Sequence, residues 1–419
     1  MNRLPRTRFQ DALYLLLALV SLALIGALGW MNYRFAMQSP GGNDFLVHWE
    51  GTRALLFDGI SPYSDEVALR IQQRAYGRPA QAGEHELRVA YPLYSALVFA
   101  PFALIGEYTL ARAVWMTALE LALILLAVLC IRLTRWRPVP WLLGVYLLFA
   151  LTWYHAVRPL INGNAVVWIA LFLTGAVLAL RTGQQEAAGL LLSLATIKPH
   201  LALLPVLFML LWAAGHRRWR FVIWFFGTLI FLVALGMLFL PDWPLQNLRE
   251  ILRYTSYNPP TTMQAALQEW LPGVGRQLGW ILSGSLGILL LVEWARDWKK
   301  PFRYFLWTFC LTLVIGQWIG ITTDPGNFIL LFLPLTLVLA EFERRYGRSA
   351  RWWSLVSMLI LLVGLWWIFL ATLTQVNGQP QQSTVMFLPL PLYLFWGLYW
   401  VRWWAVREAV QPLVDGFFA

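Results

Sequence analysis

The sequence predicts an all-α polytopic membrane protein, with about twelve transmembrane helices and a long extracytoplasmic loop after the first. Three observations carry that prediction. Of the 419 residues, 59% are apolar and 13% charged, and the mean hydropathy is +0.60. A soluble globular chain holds about 25% charged residues and about 45–50% apolar ones. The apolar residues arrive in runs such as Leu13 to Trp30, Phe221 to Leu240, Trp352 to Ala371 and Val385 to Val401. Runs near twenty residues cross a hydrocarbon core about 30 Å thick, and in hydrocarbon each segment must satisfy its own backbone, which selects helices. Basic residues, finally, sit in short clusters between the runs.

The first run is too long for the apolar core of a cleavable signal peptide and has no small-residue cleavage site, so it reads as an anchor. The basic clusters are Arg3/Arg6/Arg8, Arg132/Arg135/Arg137, Arg217/Arg218/Arg220, Arg296/Lys299/Lys300/Arg303 and Arg344/Arg345/Arg348/Arg351. Short loops with such clusters mark the cytoplasmic face, where anionic headgroups are their partners. The net charge of +11 therefore points to membrane lipids and not to nucleic acid. A plasma-membrane protein with both termini cytoplasmic follows. Cys130 and Cys310 both fall inside apolar runs and make neither a disulfide framework nor a metal site. The 25 tryptophans, many beside basic clusters, suit interfacial belts.

Alternation from a cytoplasmic start places four polar stretches outside. They are the first loop, 32–88; a second larger loop, 241–275, with the turn-rich YTSYNPPTT; TTDPGN, 322–327; and TQVNGQPQQST, 374–384. The run YPLYSALVFAPFALIG, 91–106, either spans or re-enters. If it spans, the basic loop 132–137 faces outward, so the charge rule favours re-entry. Lys198–Pro199 then becomes an outer turn between two short half-spans, 187–197 and 201–214. No internal repeat is evident, and residues 1–419 read as a single integral membrane domain.

The first loop contains GGNDFLVHWEGTRALLFDGISPY. Phe45, Trp49, Thr52 and Leu56 recur at helical spacing, predicting an amphipathic helix with its apolar face on the bilayer. Asp44 opens that helix at the water–lipid boundary. It is either an N-cap or a general base held against a substrate at the outer surface. His48 lies one turn on, and either faces the same pocket or is solvated. Asp58 reads as a turn residue before GISPY, and Glu84, His85 and Glu86 as solvated loop.

Several polar residues fall at membrane depth, where each is costly and so a functional candidate. Glu120 stands mid-span with Arg112 two turns earlier; its other reading is a charge partnered inside the bundle. Arg158, Asn162 and Asn164 cluster in RPLINGN. Lys198 and His200 flank Pro199, and a Lys or Arg at an outer pocket is what a lipid phosphate requires; snorkelling to the interface is the other reading of Lys198. No P-loop, HExxH, GxSxG or DxD motif occurs, which excludes ATP hydrolysis and argues against a metal-dependent enzyme using a soluble nucleotide sugar.

In order and content, DFLVHWEGTRALLFDGISPY (44–63), YPLYSALVFAPFALIG (91–106) and the stretch from Asn162 to Trp212 resemble glycosyltransferase family 87. That family holds polyprenyl-phosphate-mannose-type enzymes of the GT-C superfamily. The resemblance covers the N-terminal half; the C-terminal half is similar only in its pattern of spans. It implies a GT-C-like fold and an inverting transfer of a sugar, best known as mannose, from a polyprenyl-phosphate donor to a lipid or glycan acceptor at the outer face. It implies an acidic general base in the first outer loop, matched by Asp44, then an asparagine segment and a lysine, matched by Asn162, Asn164 and Lys198. Some relatives carry histidine in a late outer loop, where this chain has TTDPGN with Asp324. The expected site is therefore Asp44 as base, Lys198 and Arg158 at the donor phosphate, and His48, Tyr91, Asn162, Asn164, His200 and Asp324 around the substrate, without metal or cofactor. A transporter or lipid flippase, or a membrane scaffold, are the competing classes.

Overall fold

The computed structural model describes residues 8–39, 41–257, 262–319, 324–376 and 379–406. After α1 (Arg8–Gln38) the chain forms a cap from α2 (Asn43–Arg53), α3 (Asp65–Tyr76) and α4 (Ala96–Ala103). The bundle follows, with α5 (Tyr108–Thr134), the bent pair α6 (Pro140–Thr152) and α7 (Tyr154–Asn162), α8 (Val166–Arg181), α9 (Gln185–Ala195), α10 (Pro199–Gly215) and α11 (Trp219–Phe239). Two helices return to the cap, α12 (Trp243–Tyr257) and α13 (Met263–Trp270). The chain closes with α14 (Gly275–Asp297), α15 (Phe302–Ile319), α16 (Phe332–Tyr346), α17 (Arg348–Thr372) and α18 (Pro389–Val406). Among the described residues eight helices are long and apolar enough to cross a membrane, or nine if the bent pair is one span; Val166–Arg181 and Pro199–Gly215 are apolar but shorter. The chain is not wholly helical. A short antiparallel hairpin, Thr374–Val376 with Gln379–Gln381, occupies the polar stretch 374–384.

The two ends of the bundle differ in chemistry. At one end the basic loops meet: Trp136 Nε1 donates to Glu343 Oε2 at 2.6 Å, Arg351 pairs with Glu343 at 2.8 Å, and Arg344 donates to the Thr134 carbonyl. Arg181 donates to the Leu133 carbonyl, Arg218 to that of Leu180 at 2.8 Å, and Arg303 to that of Trp404. At the other end lie the cap, α12, α13 and the hairpin. Leu93–Ala103, the helical part of 91–106, is eleven residues, a rise of about 16 Å, about half a hydrocarbon core. It stays at the cap end: Trp49 Nε1 donates to the Ile105 carbonyl at 3.2 Å and Arg53 to that of Ala103 at 2.6 Å.

The structure corrects the expected bilayer-facing surface of α2. Phe45 through Thr52 are all buried in protein. Phe45 stacks on Trp115 (5.2 Å between centroids) and Tyr108 (6.0 Å), and Trp49 meets Tyr108 edge-on at 5.2 Å. A helical stripe of apolar residues says that one face leaves water; it does not say whether lipid or protein covers it. The acidic loop cluster is half-exposed and also paired. Arg78 makes two bonds to Glu84, at 2.7 and 2.8 Å, holding the Glu84 carboxyl down at about 2, and Glu86 bonds Arg253 at 2.8 Å. His85 sits edge-on to Tyr254 and Tyr257. Asp58 meets Arg70 at 2.5 Å at the surface. Glu120 finds its partner on α1, where Asn32 Nδ2 donates to it at 2.7 Å.

The second large polar loop locks the first in place. Arg88 makes a two-point bridge to Glu250 of α12, at 2.7 and 3.0 Å, and both side chains are nearly excluded from solvent. Asn247 donates to the Ala90 and Tyr91 carbonyls at 3.0 and 3.1 Å. A buried pair broken on one side leaves an uncompensated charge. Arg88→Ala is therefore expected to cost about 3 kcal/mol, read as a lower denaturation midpoint in detergent. An unchanged midpoint would show that the bridge does not hold the cap.

Candidate active site

At the cap end, four segments far apart in sequence meet in one hydrogen-bonded line. Asp44, half-buried in the first turn of α2, accepts at Oδ2 from Asn164 Nδ2 at 2.9 Å. Asn164 Oδ1 accepts from Lys198 Nζ at 2.9 Å and from the Val166 amide at 2.9 Å. Lys198 Nζ donates in addition to Asn327 Oδ1 at 2.8 Å. The direction is fixed by chemistry: a carboxylate accepts, an ammonium donates, and an amide between them must turn its oxygen to the lysine.

Local backbone makes this line possible. Pro199 opens α10 as its first residue, so Lys198 becomes the N-cap; Pro there gives up an N–H that would have no helical partner. The lysine is only 5% exposed, and the carboxylates of Asp44 and Asp324 both face it electrostatically. Of its three ammonium hydrogens, two go to the asparagines, leaving one for a ligand. Gly163 ends α7 with φ +71°, and a Cβ there would lie 2.4 Å from Phe45 Cβ. That close approach seats α2 against the RPLINGN turn and brings Asp44 to Asn164. Gly163→Ala is expected to destabilise the fold by about 1–3 kcal/mol through the left-handed backbone alone and to lower activity as well, since Asp44 must move. Melting and turnover measured on the same preparation check this; wild-type values for both would refute it.

Beneath the turn, Arg112 ties both walls together. It donates to the Ser39 carbonyl at 2.6 Å and to that of Ile161 at 3.2 Å, while Tyr108 Oη donates to Gly41 and Gly42 at 2.9 and 3.0 Å. Gly42 caps α2 at φ +75°, and a Cβ there would meet Arg112 Nε at 2.6 Å. Arg112 is thus a clamp on the segments bearing Asp44 and Asn164, not the partner of Glu120.

The other expected residues divide. Tyr91 lies beside the line, its ring 5.7 Å from Lys198 Nζ. His48 packs behind it, 4.0 Å from Tyr91 and 4.6 Å from Phe99 between centroids. It is buried, not solvated, and burial with Lys198 nearby pulls its pKa down to about 3. His48 is therefore neutral at physiological pH; it stacks on Phe99 and lies tilted against Tyr91, backing that ring. Asp324 opens the turn Pro325–Leu331 that carries Asn327, accepting from the Gly326 amide and from Gln382 Nε2, the latter at 2.7 Å. Arg158 runs past Gly326 on that turn and makes no hydrogen bond or ion pair among the described residues. Asn162, on the far side of Gly163, and His200 make no hydrogen bond to the line. Residues 322 and 323 of TTDPGN lie outside the described residues.

Asn327 and the clamp role of Arg112 escaped the sequence reading. Asn327 stands in a stretch singled out for Asp324, yet its pairing with a lysine 129 positions away leaves no local trace. Among the described residues no three His, Cys, Asp or Glu side chains form a group suited to a metal ion. Chemically, the line offers a carboxylate with one oxygen held and one open, about an asparagine's length from a buried cation.

The family model of glycosyltransferase family 87 matches residues 90–319, more than half of the chain. The match takes in Tyr91, Arg158, Asn162, Asn164, Lys198 and His200; it begins after Asp44 and ends before Asp324 and Asn327. It reaches further into the C-terminal half than the resemblance in sequence. No curated protein and no solved structure gives a significant match.

Proposed function

The chain belongs to glycosyltransferase family 87, and from that premise we propose that this glycosyltransferase moves a sugar, mannose, from a polyprenyl-phosphate donor to a lipid or glycan acceptor at the outer face of the plasma membrane. The observation that carries the proposal is the line Asp44–Asn164–Lys198–Asn327, which sets a carboxylate and a buried cation on one surface. The basic loops gather at the opposite end, and a basic end belongs in the cytoplasm, so the site faces outward and the termini inward. A donor with an isoprenoid tail needs lipid beside the site and water above it; the cap, where the apolar bundle gives way to polar helices, supplies both.

The acceptor hydroxyl attacks the anomeric carbon as Asp44 takes its proton. A carbon–oxygen bond to the acceptor forms, the bond to the phosphate oxygen breaks, and polyprenyl phosphate leaves from the opposite face, inverting the configuration. The remaining hydrogen of the Lys198 ammonium meets the charge gathering on the departing phosphate, and Arg158 supplies a second cation. Asn164 holds base and cation at fixed separation, which keeps them from collapsing into a direct ion pair. Tyr91, stiffened by His48, forms the wall beside the phosphate.

The test uses purified protein in detergent with short-chain polyprenyl-phosphate mannose and a panel of lipid acceptors. Release of polyprenyl phosphate together with a mannosylated product is the expected result. Turnover only with a pentosyl donor would keep the reaction and remove mannose. Directional flux in proteoliposomes without any new glycosidic bond would sink the proposal.

A further inference from the structure

At the end of the bundle opposite the site, α14, α15 and α18 enclose a cavity of about 320 Å³ lined by Arg296, Asp297, Lys300, Tyr304, Trp307 and Arg402. Among the described residues its charges do not balance. Three cations face two carboxylates, those of Asp297 and the neighbouring Glu293, and both carboxylates are already engaged. Glu293 pairs with Arg402 at 2.6 Å and with Arg296 at 3.6 Å, and Asp297 accepts the Thr308 hydroxyl. The cations are not used up. The Lys300 ammonium has no acceptor among the described residues and stands 5.8 Å from the Tyr304 ring centroid. Arg402 is stacked on Trp307 and Tyr399, at 5.0 and 5.6 Å, and spends one guanidinium nitrogen on Glu293. A guanidinium has five donors in a rigid fork, and stacking pre-sets its direction.

We infer that this cavity binds the headgroup phosphate of an anionic membrane lipid. Basic pockets between transmembrane helices on the cytoplasmic side are suited to such headgroups. The surroundings select a lipid over a free anion. On α14, one and two turns before Arg296, Val292 and Ile288 are 40% and 66% exposed, an apolar track leading from the cationic mouth along the outside of the bundle. An acyl chain would lie on it; inorganic phosphate would leave it bare. The zwitterionic phosphatidylcholine headgroup would bring its own cation against Arg296, Lys300 and Arg402, whereas phosphatidylglycerol brings none. The site lies apart from Asp44 and Lys198 and does not depend on the reaction proposed there.

The experiment is native mass spectrometry of the delipidated full-length protein, titrated with phosphatidylglycerol, phosphatidylcholine or inorganic phosphate. Wild type is expected to retain phosphatidylglycerol at least tenfold more tightly than phosphatidylcholine. The double substitution Arg296→Gln with Lys300→Gln leaves Arg402 to neutralise Glu293, so the fold is kept. At about 1 kcal/mol per basic side chain it should weaken phosphatidylglycerol retention about thirty-fold and leave phosphatidylcholine unchanged. Lys299→Gln removes a cation outside the cavity lining and should change nothing. Equal retention of the two lipids, or undiminished phosphatidylglycerol binding in the double variant, overturns the inference. Protection by millimolar phosphate without selective lipid retention overturns the lipid assignment in favour of a soluble anion.

Discussion

Asp44→Asn is expected to lower transfer by about 10²- to 10⁴-fold, the span that a positioned general base contributes. The substitution is nearly isosteric, and its amide oxygen can still accept from Asn164 Nδ2, which now bonds the carboxylate at 2.9 Å. Melting should therefore match wild type, separating chemistry from folding. Loss should also fall on kcat more than on KM, because the proton moves only in the transition state. Asp44→Glu pushes the carboxylate outward by one methylene and should recover part of the rate. Turnover within a few-fold of wild type in Asp44→Asn would remove Asp44 from the mechanism while leaving the family assignment untouched.

Lys198→Met should lower turnover by about 10²- to 10³-fold, the usual effect of removing one group that stabilises developing charge. Here stability falls too. The ammonium serves Asn164 Oδ1 at 2.9 Å and Asn327 Oδ1 at 2.8 Å; Asn164 Oδ1 keeps the Val166 amide, whereas Asn327 Oδ1 is left unpaired, at a cost of about 1–3 kcal/mol. Melting alone cannot then distinguish a structural lysine from one that meets the leaving group. A donor whose departing phosphate has a lower pKa does so. If Lys198 stabilises the leaving phosphate, the rate defect of Lys198→Met shrinks with that donor while the defect of Asp44→Asn persists. A defect of equal size with both donors would make Lys198 a strut between Asn164 and Asn327 and nothing more. Lys198→Arg is a poor rescue, since a planar fork does not fit where a compact ammonium bridges two amides.

The membrane character, the helical class and the family were legible along the chain because each rests on a local quantity. Runs near twenty apolar residues report on bilayer thickness, and basic clusters report on loop position, whatever the helices later pack against. Asp44 was legible for the same reason, as an acid at the start of a helix just past the first span. The lysine at Lys198–Pro199 was legible as a charge at a helix break. What surrounds them was not. A 3.6-residue stripe in α2 could not tell lipid from protein, and only the stack of Phe45 on Trp115 decided it. Arg112 looked like a partner for Glu120 along one helix, yet its guanidinium turns to Ser39 and Ile161, residues of two other segments.

Asn327 and the Arg88–Glu250 bridge span 129 and 162 positions. Pairings of that range depend on how helices are arranged side by side, which no window of sequence encodes. The sequence by itself determined the membrane-helical class, the basic loops and the family, and singled out Asp44 and Lys198 as candidates. The tertiary structure alone decided that one asparagine stands between them and a second fixes the lysine from behind. The physical reason is that hydrophobic length acts within one segment, whereas a hydrogen bond forms only once packing has brought two segments to within 3 Å.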